Sequence, residues 1–228
     1  MEEVKLPWTA RKVGIDSGLA SLAVGSDGEK IAPPRFLRSA LRTIRRLQRS
    51  LSRKAKGSSN RKKARLLVAR SQEKAARQRL DFLHKPSTKY IRENQTVALE
   101  NPNVSGMLKN RRLAKNISDA GWRMFKTLLE YKADRYGREI VVIGRWEPTS
   151  RRCSGCRHLD GKKSLAIRRW TCSACGAAHD RDINDAKIFS PSDRRRGSTL
   201  VEPRVRPACW YLAVKQEPVL IRAYDLQP

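Results

Sequence analysis

The first thirty residues alternate short apolar runs with turns, and the next sixty repeat their apolar positions every three or four residues. Val13 and Ile15 make one run, Leu22, Ala23 and Val24 a second, and Ser26-Asp27-Gly28 turns the chain after them. A β-hairpin at the start of a sheet is predicted there. From 35 to 94 the period is helical. Leu37, Leu41, Ile44, Leu47 and Leu51 recur on one side, Lys56-Gly57-Ser58-Ser59-Asn60 interrupts, and Ala64, Leu67, Val68, Ser71, Ala75, Phe82 and Leu83 continue. Two antiparallel helices joined by a short loop fit this pattern, with Pro86 ending or kinking the second. Thr96-Val97-Ala98-Leu99-Glu100 predicts a short strand stopping at an acid. Ser118 is expected to cap a helix running to Gly137, packed through Trp122, Phe125, Leu128, Leu129 and Tyr136. Ile140-Val141-Val142-Ile143 returns to strand, and a short helix is expected over 181 to 189. Strands alternating with helices indicate an α/β fold. After Ser190 the chain is Pro- and Arg-rich without steady period and reads as a mostly disordered tail. No internal repeat is visible.

Charge changes this picture most. The 228 residues carry 50 Lys and Arg against 22 Asp and Glu, a formal net charge of +28. Small domains stay soluble with a net charge of about 2 to 8, so the excess implies a polyanionic partner. Residues 35 to 94 concentrate it, with twenty Lys and Arg against Glu73, Asp81 and Glu93. A solvated helix surface is the plain alternative, but so one-sided a surface repels itself unless a polyanion neutralises it. Arg42, Arg45, Arg49, Arg53, Lys62, Lys63 and Arg70 are the candidate nucleic-acid contacts; such contacts to phosphate position without reading sequence. Aromatics at 6% argue against an interface built mainly on stacked bases. The N-terminus, with Glu2, Glu3 and Lys5 before Pro7, lacks the apolar run of a signal peptide, and no stretch approaches the roughly 20 apolar residues of a membrane span. An intracellular protein is expected, cytoplasmic and associated with the nucleoid, without a membrane partner.

In a reducing compartment, paired cysteines read as metal ligands. Cys153-Ser-Gly-Cys156 and Cys172-Ser-Ala-Cys175 are fifteen residues apart, the spacing of a four-cysteine zinc site. Each C-x-x-C sets two thiolates on one turn, with Gly155 and Gly176 expected to relieve the backbone there. Four sulfurs leave no position for water, so one structural zinc per chain is expected; a redox pair or disulfides are the alternative. Cys209 is left over. His84 and His158 read as surface or hydrogen-bonded residues, while His179 could approach the metal.

Three acids occupy pointed places. Asp16 interrupts the first strand, Glu100 ends the strand at 96–100, and Asp182 sits at the mouth of the last helix in His179-Asp180-Arg181-Asp182-Ile183-Asn184. Singly, each has an ordinary reading, as a turn acid, a solvated strand end and a helix N-terminal acid favoured by the dipole. Together they can converge on two magnesium ions, which take oxygen ligands and retain water for attack. In so basic a chain this points to phosphodiester hydrolysis.

The ordered series Val13-Gly14-Ile15-Asp16-Ser17-Gly18, Asp81-Phe82-Leu83-His84-Lys85, Asn103-Val104-Ser105-Gly106-Met107, Ser118-Asp119-Ala120-Gly121-Trp122, the two cysteine knuckles and His179-Asp180-Arg181-Asp182 resembles the TnpB (OrfB) family over about residues 11 to 190. These are transposon-encoded, RNA-guided DNA endonucleases related to type V CRISPR effectors. The resemblance implies an RNase H-like (RuvC) domain with an inserted basic helical hairpin and a zinc ribbon. Its parts would be 1–34, the hairpin at 35–94, 95–148, the ribbon at 149–178, 179–190, and the tail at 191–228. Asp16, Glu100 and Asp182 match the family's triad for magnesium or manganese. DNA and a guide RNA from the transposon end are the implied partners, with the protein reading a short flanking motif. A family member that binds nucleic acid without cleaving it is the alternative.

Three features depart from the family pattern. About ten residues precede the first strand, which implies an N-terminally shortened form. Asn101-Pro102 stands in place of Asp-Leu and Asp185 in place of alanine; both are expected to disturb the active site.

Overall fold

A computed structural model of the chain describes residues 5–100, 102–144, 149–164 and 166–190. The expected tail, Cys209 and Asn101 lie outside the described residues. Five strands form one mixed sheet. β1 (Lys12–Asp16), β2 (Ala23–Gly25) and β3 (Lys30–Ile31) make an antiparallel meander, one strand longer than the expected hairpin. Helices α1 (Phe36–Ser52) and α2 (Ser59–Glu93) follow, and β4 (Thr96–Glu100) returns beside β1 in parallel. Beyond it come α3 (Val104–Met107), α4 (Ala114–Ala120), α5 (Trp122–Tyr136) and β5 (Glu139–Ile143), which pairs parallel to β4. The sheet order is β3-β2-β1-β4-β5. A separate two-stranded ribbon, β6 (Arg169–Thr171) with β7 (Ala178–Asp180), leads into the last helix, α6 (Arg181–Phe189).

Strand alternation divides the core between the two faces of the sheet. Val13, Ile15, Val97 and Leu99 point to one side, where Leu83, Tyr90 and Ile91 of α2 and Phe125, Leu128 and Leu129 of α5 cover them. Gly14 and Ala98, in register, point to the other, where Ala98 and Ile143 pack with Phe189 of α6. The fit at Gly14 is close. A Cβ built on it would overlap the Ala186 carbonyl and come within 2.6 Å of the Ser190 nitrogen. Glycine is therefore required here for a close approach of backbones, not for a special torsion. Gly14→Ala should cost about 1–3 kcal/mol through overpacking, lowering the melting temperature by roughly 3–10 °C. Gly144→Ala is the control, since its Cβ would meet nothing within 4 Å. An unchanged melting temperature in Gly14→Ala would show that α6 is not seated on β1.

α1 and α2 pack antiparallel along α1, from an edge contact of Phe36 with Phe82, ring centroids 6.1 Å apart, to the turn where Arg61 Nη1 donates to the Leu51 and Lys54 carbonyls. The start of α1 has no cap of its own: Arg35 there is left-handed, at φ 50°. Asp119 of α4 supplies it, accepting from the amides of Leu37 (2.9 Å) and Arg38 (3.0 Å), and is itself held by buried Arg79 of α2. The Ser-Asp-Ala-Gly-Trp segment thus roots the basic helices on the rest of the fold.

Two expectations are corrected. Pro86 does not end the second helix, which runs on to Glu93. Ser87 Oγ donates to the Leu83 carbonyl (2.6 Å) and Thr88 Oγ1 to that of His84 (2.7 Å), while buried Lys132 of α5 donates to the His84 carbonyl and to both hydroxyls. These bonds support the turn that proline deprives of an amide. Ser118 is not a cap either, because it lies inside α4; Gly121, left-handed at φ 70°, separates α4 from α5.

Candidate active site and metal centre

The register of the parallel strands brings the first two acids together. Ile15 pairs with Leu99, so Asp16 and Glu100 follow side by side at the C-terminal ends of adjacent strands, about 4.8 Å apart in backbone. Both point to the face that carries Gly14 and Ala98, the face under α6. On that helix, Asp182, Asp185, Ala186 and Phe189 recur at three, four and seven residues and share one stripe. Seating Ala186 and Phe189 on the sheet therefore carries Asp182 and Asp185 to the strand ends. Among the described residues, no three of these carboxylates bring ligand atoms within 4.8 Å of one another as the cysteines do, but their charges act on each other. Burial, and then the fields of Asp185, Glu100 and Asp182, hold the Asp16 carboxyl well above the usual carboxylate range. Burial likewise pushes Asp185 up to about 7, opposed by the Asn184 amide and Arg181 and reinforced by Asp182 and Glu100. Asp182 lies in the first turn of α6 and pairs with half-exposed Arg168, Nη1 to Oδ1 at 3.2 Å.

Crowded carboxyl groups whose charged forms are disfavoured fit a divalent cation, which takes hard oxygen ligands and removes the repulsion. One atom strengthens that fit: Asp185 Oδ1 is buried without a hydrogen-bond partner. The sequence reading counted Asp185 only as a departure from a family pattern. Its spacing of three from Asp182 on a helix was the signal that placed it in the site.

The four cysteine sulfurs gather within 4.8 Å of one another. Cys153 and Cys175 Sγ are 3.7 Å apart, Cys156 and Cys172 Sγ 3.6 Å. Those separations are too long for disulfides at about 2.05 Å. They match the edge of about 3.8 Å that a tetrahedron with Zn–S of about 2.3 Å requires. The two knuckles are built alike. Arg157 N donates to the Cys153 carbonyl and Gly176 N to the Cys172 carbonyl, each at 3.0 Å, and the residue after each second cysteine is left-handed, Arg157 at φ 67° and Gly176 at φ 69°. Gly176 relieves its turn as expected, but Gly155 does not; Arg157 holds the corresponding position in the first knuckle. His179 comes close to the centre, its Nε2 3.0 Å from Cys153 Sγ and its ring against Trp170 with centroids 4.7 Å apart. His84 is half-buried in α2 and His158 is exposed.

Asn184 joins the two centres. It is 1% exposed; its Oδ1 accepts from Ser154 N at 2.9 Å and its Nδ2 donates to the Arg152 carbonyl at 2.8 Å. The first knuckle is thereby clipped to the helix that carries Asp182 and Asp185.

All seven proposed phosphate contacts are exposed. Arg42, Arg45 and Arg49 lie on α1 with Arg53 just beyond it, and Lys62, Lys63 and Arg70 lie on α2. Among the described residues, no helix is long and apolar enough to cross a membrane.

A mixed sheet with helices on both faces and a four-cysteine ribbon leading into its last helix is a Cas12f-like α/β fold. A Cas12f1–sgRNA–target DNA complex superposes with a TM-score of 0.58 at 19% identity, covering 82% of this chain and 51% of that one. A CRISPR–Cas12f ternary complex gives 0.61 at 22%, covering 82% and 39%. The family model OrfB_IS605, described as "Probable transposase", matches residues 2–111, and a Cas12f1-like TNB-domain model matches 122–189. A "Putative RNA-guided DNA endonuclease" of Streptomyces pristinaespiralis is 51% identical over 181 residues, 79% of this chain and 45% of the relative. InsQ of Escherichia coli K12, of the same description, is 30% identical over 194 residues, 78% of this chain and 48% of the relative. The chain is thus similar to the transposon-associated TnpB (OrfB) family, and spans about half the length of these relatives.

Proposed function

We propose that this chain is the RuvC-like, metal-dependent DNA endonuclease part of a TnpB-type RNA-guided system, with Asp16, Glu100 and Asp182 as its catalytic carboxylates. The observation that carries this reading is that acids from β1, β4 and α6 lie at the sheet face under α6, near enough for Glu100 and Asp182 to act on the Asp16 carboxyl, in a protein otherwise so basic. Asp16, Glu100 and Asp182 would hold the magnesium or manganese ions between them. Such ions, when bound, supply an activated water and neutralise the charge developing on phosphate. The chain's own part is to keep the carboxylates fixed on two strand ends and one helix turn, and to bring the substrate to them. The basic helices serve the second purpose, gripping the phosphates of DNA or of a guide RNA through Arg42, Arg45, Arg49, Arg53, Lys62, Lys63 and Arg70. One structural zinc would fill the cysteine site, and work on DNA would put the protein at the nucleoid.

The test is cleavage of labelled single-stranded DNA, and of duplex DNA with a transposon-end RNA, by the full chain. Magnesium and manganese should support cleavage, and calcium poorly, since its looser coordination does not enforce octahedral alignment. Failure to cleave under every one of these conditions would leave a protein that binds nucleic acid without cutting it.

Binding has its own signature. Affinity should fall steeply with salt, because every phosphate neutralised releases condensed counterions. Reversing Arg42, Arg45 and Arg49 to glutamate should reduce the slope of log K against log salt by about 2 to 3. An unchanged slope would move the phosphate-binding surface elsewhere.

A further inference from the structure

We propose that Asp185 is a fourth carboxylate ligand of the cation site, so that this chain holds its divalent ions with Asp16, Glu100, Asp182 and Asp185 together. The inference rests on the reading of the first three as cation ligands. Its separate support is the state of the Asp185 side chain. The residue is only 8% exposed and its Oδ1 has no hydrogen-bond partner. A buried acceptor left unsatisfied is costly, and native folds seldom retain one without a bound water or ion. The partner is constrained by its surroundings. Asp185 lies one helical turn beyond Asp182, on the stripe that α6 turns toward the sheet, beside Ala186, whose carbonyl closes on Gly14 of β1. No hydrogen-bond donor is supplied to Oδ1 by any described residue, and water alone would leave the repulsion among four acids in place. A divalent cation satisfies the orphaned oxygen and removes the repulsion together.

Consequences follow for selectivity and strength. Four carboxylates bring more negative charge than three, and cation affinity rises with ligand charge. The extra acid takes a place normally occupied by alanine in the family pattern, so its removal leaves a side chain that an α-helix accepts readily.

The test is manganese binding to the zinc-loaded, full-length protein, followed by electron paramagnetic resonance of free Mn²⁺ and by calorimetry. Wild type is compared with Asp185→Asn, Asp185→Ala and Asp16→Ala, with zinc content as the check of folding. Asp185→Asn keeps the shape of the side chain and carries the test if Asp185→Ala perturbs the helix. Both Asp185 variants should bind manganese roughly tenfold more weakly or worse. Saturating manganese should also raise the melting temperature of Asp185→Asn by less than that of wild type. If Asp185→Asn binds manganese as wild type does while Asp16→Ala does not, the fourth ligand is refuted and the three-acid site stands. If wild type binds no manganese, or Asp16→Ala binds it unchanged, the cation site itself is refuted along with the fourth ligand.

Discussion

Asp16→Ala is expected to abolish DNA cleavage while leaving DNA binding within about twofold of wild type. Removing the carboxylate at the end of β1 should lower the cleavage rate by roughly a thousandfold or more, which corresponds to about 4 kcal/mol of barrier. Affinity should survive because the proposed phosphate contacts lie on α1 and α2, away from Asp16. Stability separates this outcome from simple misfolding. The Asp16 carboxyl is held well above its usual range by burial and by Asp185, Glu100 and Asp182, so the metal-free native state keeps a proton that the unfolded chain gives up. With zinc retained and no magnesium or manganese added, stability must then fall as pH rises above about 4, the ordinary carboxylate value, toward the raised native value. Alanine removes that loss. Asp16→Ala should therefore melt above wild type at neutral pH without added magnesium or manganese, with the difference shrinking as the pH approaches 4. A variant that is inactive and also markedly less stable would point to a packing role for Asp16.

Loss of the cysteine centre should have the second largest effect. Serine at Cys153 or Cys172, both buried in the ribbon, should reduce zinc from about one ion per chain to none by elemental analysis. Four thiolates hold a structural zinc with about 10 kcal/mol or more of binding free energy that is also folding free energy. The small cluster of Cys153, Trp170 and Cys172 cannot replace that. Proteolysis should then cut the ribbon in the variant and spare it in wild type. The damage should reach the active site through Asn184, which ties Ser154 and Arg152 to α6. Asn184→Ala should keep its zinc yet lose cleavage by an intermediate factor, on the order of 10 to 100, as for partners that orient ligands. Zinc-free protein that cleaves at the wild-type rate would show the ribbon and the carboxylates to be independent.

Much of the fold was legible because periodicity alone determined it. The strand at 96–100 and the helix at 181–189 have the bounds their patterns predict, since apolar runs flanked by polar breaks leave little choice of register. Local rules failed where a distant group intervened. Pro86 reads as a break, but Lys132, some 45 residues away, and the hydroxyls of Ser87 and Thr88 support the turn it weakens. Ser118 reads as a cap because Ser favours such positions, whereas Gly121 takes the left-handed torsion that separates the helices. The capping role passed instead to Asp119, which serves a helix eighty residues earlier, a pairing no local pattern contains. The site shows the same division. Each acid was visible as a residue out of place. That Asp185 joins them depends on Gly14 admitting α6 to the sheet, a contact between residues 14 and 186 that only the folded chain reveals.

Crystals of the full-length protein grown with manganese test the account most directly. Anomalous diffraction collected above and below the zinc edge distinguishes zinc from manganese. Zinc is expected among Cys153, Cys156, Cys172 and Cys175, and manganese beside Asp16, Glu100, Asp182 and Asp185. Absence of manganese between the ends of β1 and β4 and the first turns of α6, under conditions in which the protein cleaves DNA, would contradict it.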